Sequence, residues 1–340
     1  MATGDPRNLQ FGPWTRHAPA AARPCPKGGS VLADEKILIT GASGQIGYGL
    51  ARYLAPHNEV WGVARFADPA ARDGLGALGV TTRSVDLAAG GLEELPADFT
   101  YLLHLAADVT TGDYDRALQV NAEATGVVLE HCRFAKAALV MSSLSTYKPH
   151  PDPWHAFAET DPLGDAMAPP SPPYSVSKIA QEAVARYCAR SLGLPVAITR
   201  LGAAYGDRGG LPVLHLDAVA RREPVRTRSD PMPYTPIHDD DLCAQLEAIL
   251  AAASVPATVV NWVGDEPVSV QEWTAYFGEL LGVVARVEVE PIPGASVGSV
   301  GDATRRRSLT GPCTVGWRAG LGDVAAERYP DRVRPGPAGG

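Results

Sequence analysis

Hydrophobic positions along the chain come in two alternating forms. Short unbroken apolar runs sit at Ile37-Leu38-Ile39, Val60-Trp61-Gly62-Val63, Val80–Val85, Tyr101–Leu105, Ala138–Met141 and Val196–Thr199. Their length and continuity predict strands buried on both faces. Between them lie stretches with helical spacing: Ile46–Leu54, an Ala-rich stretch near Pro69–Leu78, a long pattern from Asp113 to Phe134, and Tyr174–Leu192. Strand alternating with helix predicts βαβ units with right-handed crossovers, hence an α/β fold with a doubly wound parallel sheet.

Beyond Tyr205-Gly206 the pattern loosens. Helices are expected at Asp239–Ala252 and Ser269–Leu281, with a strand at Thr258–Trp262 between them. Ser269 and Glu272 have the spacing of a capping box. The expected organisation is a dinucleotide-type domain over 34–200 and 237–263, interleaved with a smaller α/β substrate domain over 201–236 and 264–330. Residues 149–173 hold eight prolines without a regular period and read as a long loop, a type that is usually functional when it sits inside a compact domain. Residues 1–33 and 331–340, rich in Pro, Gly and Ala, read as a disordered extension and tail.

Composition narrows the function classes. The 340 residues are 45% hydrophobic, enough for a sizeable core, and carry a net charge of −8. An acidic surface repels phosphate backbones, so nucleic acid is not an expected partner. The cluster Arg305-Arg306-Arg307 is a local exception and reads as a solvated loop or a single phosphate contact. No apolar run is long enough to span a membrane. The five cysteines are scattered, which argues against disulfides or a zinc site and for a cytoplasmic setting.

Thr40-Gly41-Ala42-Ser43-Gly44-Gln45-Ile46-Gly47 follows the first strand and opens the first helix. In that setting Gly41 permits the tight turn, Gly44 lets backbone approach a pyrophosphate, and Gly47 lets helix pack on strand. Phosphates would rest on the helix N-terminus. The second strand ends Val63-Ala64-Arg65. Ala64 stands where an acid would hold a ribose 2′-hydroxyl, and the Arg65 guanidinium suits a 2′-phosphate, so NADP is the expected cofactor with NAD as the alternative. A surface salt bridge is the bland reading of Arg65.

Tyr174-Ser175-Val176-Ser177-Lys178 is a Tyr-x-x-x-Lys motif that places phenol and ammonium on one helix face. A cation there would lower the phenol pKa and fit Tyr174 for proton exchange with a substrate oxygen. Asp239-Asp240-Asp241 after His238 opens a helix and reads as N-terminal capping, with no metal required.

Taken with Asp86-Leu87, His104-Leu105-Ala106-Ala107, Asn121, Ser142-Ser143 ahead of Tyr147, Arg200 ahead of Tyr205-Gly206, and Ile237–Asp241, these motifs resemble the extended short-chain dehydrogenase/reductase superfamily, in its NAD(P)-dependent epimerase/dehydratase branch. The resemblance runs from about Lys36 to Trp317. It implies that Asp86 contacts adenine, that Leu87 supplies backbone contacts, and that Leu105, Ala106 and Ala107 line the dinucleotide. It makes Asn121 a structural helper at that site, Ser143 the catalytic hydroxyl beside Tyr174 and Lys178, and the assembly a homodimer through the 113–134 and 174–192 helices. Ser143 is followed by Leu144-Ser145 rather than the Asp-Glu of sugar-nucleotide dehydratases, which argues against dehydration and decarboxylation. Three readings of function follow. The first is an NADP(H)-dependent oxidoreductase acting on a small-molecule carbonyl or alcohol. The others are an NDP-sugar epimerase or 4-ketoreductase and a non-catalytic dinucleotide-binding protein. Arg221, Arg222, Arg226 and Arg228 stand where a nucleotide diphosphate would be gripped, or form a solvated basic face. Trp154, His155 and Phe157 are candidate pocket residues, with His155 a possible second acid/base.

Overall fold

Ile37 and Ile39 enter one apolar core and Leu38, between them, enters another. That alternation means the first strand has protein on both faces. The computed structural model describes residues 32–166 and 171–333. Its first half runs β1 (Lys36–Thr40), α1 (Gln45–Leu54), β2 (Glu59–Ala64), α2 (Pro69–Ala77), β3 (Thr81–Ser84), β4 (Tyr101–His104), α3 (Tyr114–Leu118), α4 (Ala124–His131), β5 (Ala137–Ser143), β6 (Ala156–Phe157), α5 (Tyr174–Leu192) and β7 (Val196–Leu201). The second half begins with β8 (Ala204–Gly206), β9 (Gly209–Gly210), α6 (Leu211–Ala220), β10 (Val225–Thr227), β11 (Pro233–Tyr234) and β12 (Ile237–His238). It continues with α7 (Asp239–Ala251), β13 (Thr258–Trp262), β14 (Val268–Ser269), α8 (Val270–Leu281), β15 (Val287–Val289), β16 (Val300–Gly301), α9 (Thr304–Thr310) and α10 (Trp317–Arg328).

Seven strands form one parallel sheet in the order β13-β7-β5-β4-β1-β2-β3. Helices α1, α2 and α7 cover one face, and α4 and α5 cover the other. The chain leaves β3 at one edge and re-enters as β4 beside β1, so the order reverses between β1 and β4. A crevice outside the carboxyl ends of the strands is expected at that reversal. A third apolar cluster gathers Tyr205, Leu216, Trp273, Phe277 and Leu321 from β8, α6, α8 and α10.

Several elements differ from the expected pattern. The long 113–134 helix is broken by a π-helical turn at Gln119–Glu123, with Asn121 at its centre, and ends at His131. The 149–173 loop contains β6, which pairs with β16, and residues 167–170 lie outside the described residues. Helix α6 has no expectation behind it because it is apolar on nearly every side and so lacks a helical period. Leu32, ahead of the expected start of order, is buried in the first core, and Val333 packs on the third cluster. Residues 1–31 and 334–340 lie outside the described ones. Arg306, expected in a solvated cluster, is buried in α9 and paired with Asp265. Among the described residues no helix is long and apolar enough to cross a membrane.

Candidate active site

The turn after β1 has the geometry its glycines suggest. Gly41 has φ +69°, and a Cβ there would come within 2.8 Å of the Ala106 backbone nitrogen. A Cβ on Gly47 would overlap the Gly41 carbonyl oxygen. Helix α1 starts at Gln45 with no side-chain cap and no acid in its first turn. Its N–H groups and dipole therefore suit an anion, and the turn fits a dinucleotide pyrophosphate. Ser43, Gly44, Gln45 and Ile46 lie on the same turn. Arg65 follows β2, Asp86 and Leu87 follow β3, and Leu105, Ala106 and Ala107 follow β4, so all flank the reversal point at the carboxyl ends of the strands.

Asn121 is fully buried. Its Oδ1 accepts from the Asp108 backbone nitrogen at 2.7 Å, and its Nδ2 donates to Asp108 O at 3.0 Å and Ser177 Oγ at 2.9 Å. It ties the segment after β4 to α5 and supports the cleft wall from behind. Asp86 accepts from Ala88 N at 3.1 Å and faces Arg116. Arg65 is exposed. Burial pushes the Asp108 carboxyl up, but hydrogen bonds from Thr110 and Thr111 and the charge of Arg65 together hold it below the usual range. Arg65 thus lies within electrostatic reach of the segment after β4, across the reversal point.

Tyr174 is the first residue of α5, entered through Pro173 at the N-cap. Four residues on, Lys178 is buried on the same face, its Nζ 5.8 Å from the Tyr174 ring centroid. Ser143 ends β5; its Oγ accepts from Ser145 N at 3.1 Å, and its side chain is near enough to Tyr174 to favour the phenolate. The structure therefore brings Ser143, Tyr174 and Lys178 together.

The expected lowering of the Tyr174 pKa by Lys178 does not occur. Tyr174 is half-buried by exposure, yet enough protein surrounds its phenol that desolvation pushes the pKa up to about 12, with Ser143 opposing. Burial also pushes Lys178 down to about 7, opposed by the Glu182 carboxylate. The Lys178 charge is therefore only partial near neutral pH. Its Nζ donates to Met141 O at 2.8 Å and to Gln181 Oε1 at 2.9 Å.

Behind this set lies a buried pair not anticipated as a pair. Arg200 meets Glu182 through Nε–Oε1 and Nη2–Oε2 contacts, both 2.9 Å, and Ser142 Oγ donates to the same carboxylate at 2.7 Å. Arg200 Nη1 donates to Glu159 O at 3.2 Å. The pair thus pins β5, α5, β7 and the long loop to one another. Polar residues at 178, 181 and 182 on the buried face of a helix were the available signal in the sequence.

The loop residues are placed differently from expectation. His155 Nε2 pairs with Asp161 Oδ2 at 2.8 Å, and its ring stacks on His150 and meets Phe157 edge-on. Phe157 is buried with Leu144, Tyr147 and Val263, while Trp154 is exposed. His155 is thus tied into the loop as a structural group. Among the four arginines, Arg221 pairs with Glu223 and Arg226 with Glu288 and Glu290 at the surface. Arg222 is exposed, whereas Arg228 is half-buried and its charge opposes the rise that burial imposes on the Tyr234 phenol.

The acids after His238 do not cap their own helix. His238 Nδ1 accepts from Asp240 N at 3.1 Å. Asp241 accepts from Thr314 N and Val315 N, and Asp239 accepts from Gln45 Nε2 at 3.4 Å.

A doubly wound sheet, a glycine turn at the reversal point and a Ser-Tyr-Lys set at its rim define a dinucleotide-dependent α/β enzyme. The chain matches the NAD dependent epimerase/dehydratase family over residues 37–222 and belongs to it, as an enzyme of the extended short-chain dehydrogenase/reductase type. No curated protein matches the chain. Among solved structures it resembles MoeE5 in complex with UDP-glucose and NAD, at 25% identity and TM-score 0.72, covering 87% of this chain and 99% of that one. The UDP-glucuronic acid 4-epimerase of Bacillus cereus, with UDP-glucuronic acid and NAD, shares 23% identity at TM-score 0.74, over 86% and 100% of the two chains. The UDP-glucose 4-epimerase of Thermus thermophilus, with NAD, gives 23% and 0.74 over 86% and 99%.

Proposed function

We propose that the chain transfers hydride between a nicotinamide dinucleotide and an alcohol or carbonyl carbon of a nucleoside-diphosphate sugar, as an epimerase or 4-ketoreductase. The juxtaposition of Ser143, Tyr174 and Lys178 beside the glycine turn carries this reading. Bound nicotinamide dinucleotide supplies the hydride acceptor or donor. The Ser143 hydroxyl orients the reacting oxygen towards Tyr174, and the Tyr174 phenol, which rests protonated, delivers a proton to it. In the oxidative direction the Tyr174 phenol must first give up its proton to solvent, and its oxygen then takes the proton of the substrate hydroxyl as hydride leaves the carbon. The likeness to MoeE5, solved with UDP-glucose and NAD, favours a sugar nucleotide over the simple reductase first expected from the sequence. A panel of UDP-sugars followed by NMR, with Tyr174→Phe as control, tests the reading. Turnover should fall by about 10²–10⁴ in the variant. An undiminished Tyr174→Phe would sink the mechanism.

The second reading, an NADPH-dependent reductase of a non-sugar carbonyl, rests on Ala64 and Arg65. The three solved relatives hold NAD. NADPH preference therefore stands on the guanidinium alone. Titration with both cofactors separates the cases: NADPH should bind more tightly, and Arg65→Ala should erase the difference. Equal or tighter binding of NADH overturns the preference, and NAD released on denaturation supports the epimerase.

As the assembly we propose a homodimer through the outer faces of α4 and α5. Val127 on α4 and Tyr187 on α5 are 51% and 70% exposed, and Phe134, in the turn after α4, is 77% exposed.

A further inference from the structure

We infer that Gln181 is a positioning residue for Lys178, and that it acts through a closed chain of buried hydrogen bonds running from the ammonium to Thr40 at the head of the glycine turn. The order of the chain is fixed by counting hydrogens. Thr125 Oγ1 donates its one hydrogen to Asn121 O at 2.9 Å. It can therefore only accept from its other two partners, His104 Nε2 at 2.8 Å and Gln181 Nε2 at 3.0 Å. His104 must then carry its proton on Nε2 and accept at Nδ1, where Thr40 Oγ1 lies at 2.8 Å. Thr40 Oγ1 in turn accepts from the backbone nitrogens of Leu105 and Ala106, both at 3.2 Å.

The same count fixes the Gln181 amide. Its Nε2 faces Thr125, so Oε1 must face Lys178. A flipped amide would point N–H at an ammonium and a carbonyl at a hydroxyl with no hydrogen left to give. Thr40, His104, Thr125 and Gln181 are all completely buried, so water cannot substitute for any link. Burial holds the His104 imidazole down to about 3, with the Lys178 charge adding to the effect. His104 therefore stays neutral across the working range and does not compete with Lys178 for charge.

The consequence falls on the charge state of Lys178. Its Nζ has two acceptors, the Met141 carbonyl and Gln181 Oε1, and both favour the ammonium against the desolvation that opposes it. The titratable groups around it are Tyr174 and Glu182 on its own helix and His104 from β4, with Arg200 of β7 already committed to Glu182. Thr125 and Asn121, from the helix behind, carry no charge. Gln181 is thus the adjustable acceptor. Because Thr40 also holds Leu105 and Ala106, the residue that sets the Lys178 charge is linked mechanically to the wall proposed to receive the dinucleotide.

The catalytic consequence rests on the oxidoreductase reading, but the bond chain does not, and it can be tested without substrate. The chain has five lysines, so the side-chain Nζ and Cε resonances of the isotopically labelled full-length protein are few enough to follow by NMR, with Lys178→Met as the assignment control. The native Lys178 midpoint should lie well below those of the other lysines. In Gln181→Leu it should fall by about one unit further, and in Gln181→Glu it should rise by about one unit or more, because a carboxylate replaces an amide oxygen. Thr125→Val, which removes the hydroxyl that orients the amide, should also lower it and serves if Gln181→Leu does not fold. Midpoints unchanged in folded Gln181→Glu and Thr125→Val would overturn the inference. If the midpoints move but Tyr174→Phe leaves turnover intact, the functional reading fails and this one stands. Unmoved midpoints with an inactive Tyr174→Phe leave the functional reading standing and this one overturned.

Discussion

At the scale of single residues, burial can displace an acid far from its ordinary range. Asp239 shows this most directly. Its carboxyl is pushed up to about 7, first by burial and then by the neighbouring Asp207 charge, with the Gln45 hydrogen bond opposing. The folded chain therefore holds a proton there that the unfolded chain releases near 3.8. Between those two values the folded state binds more protons, so this group's contribution falls as pH rises towards 7. Asp239→Asn should remove that loss, on the order of 4 kcal/mol at pH 8, and keep the acceptor for Gln45. Melting temperatures of both proteins from pH 5 to 8 read the effect, and parallel curves would refute it. The glycine turn and the Tyr174–Lys178 pair were legible in the sequence because each is defined by local spacing, whereas Ser143 was singled out only through the family resemblance, since a serine at a strand end is more often a turn or cap. The Tyr174 pKa was not legible there, because it depends on the protein that closes around the phenol. Gln181, Thr125 and His104 were invisible as a unit, since their partners come from four separate segments.

At the scale of elements, apolar runs, helical period and turn chemistry revealed those parts that carry a regular pattern or a sharp stop. The seven strands of the main sheet, α5 and the Ser269–Glu272 capping box are of this kind. The box is complete, with Glu272 N donating to Ser269 Oγ and Ser269 N donating to Glu272 Oε2. Helix α6 escaped because it is surrounded by apolar neighbours, and the π turn at Asn121 because a slip in hydrogen bonding leaves no mark on hydrophobic spacing. The outer faces of α4 and α5 add a prediction at this scale. They pack closely enough that a Cβ on Gly126 would sit 3.2 Å from Val184 Cγ1, so the pair forms a firm two-helix surface bearing Val127 and Tyr187. Light scattering should give twice the chain mass, and Tyr187→Glu should shift the protein towards monomer by placing a charge in an apolar interface. A monomeric native chain would refute the dimer.

At the scale of the whole molecule, the chain builds six strands of its sheet, departs to form the third cluster's first helix, and returns to lay β13 against β7. The family match ends at residue 222, before β13 and before α7, whose Leu242, Leu246 and Ile249 fill the first core together with Trp262. Every residue proposed for chemistry lies inside the matched segment, yet that segment is not a transplantable module. Cut at its boundary, it would expose β7 as an unpaired edge with an uncovered apolar face beneath it, the condition under which strands recruit other chains. Catalytic inheritance and structural autonomy therefore have different borders in this protein. Removing the later segments as a block would take a strand and a helix from the sheet that carries Ser143, Tyr174 and Lys178.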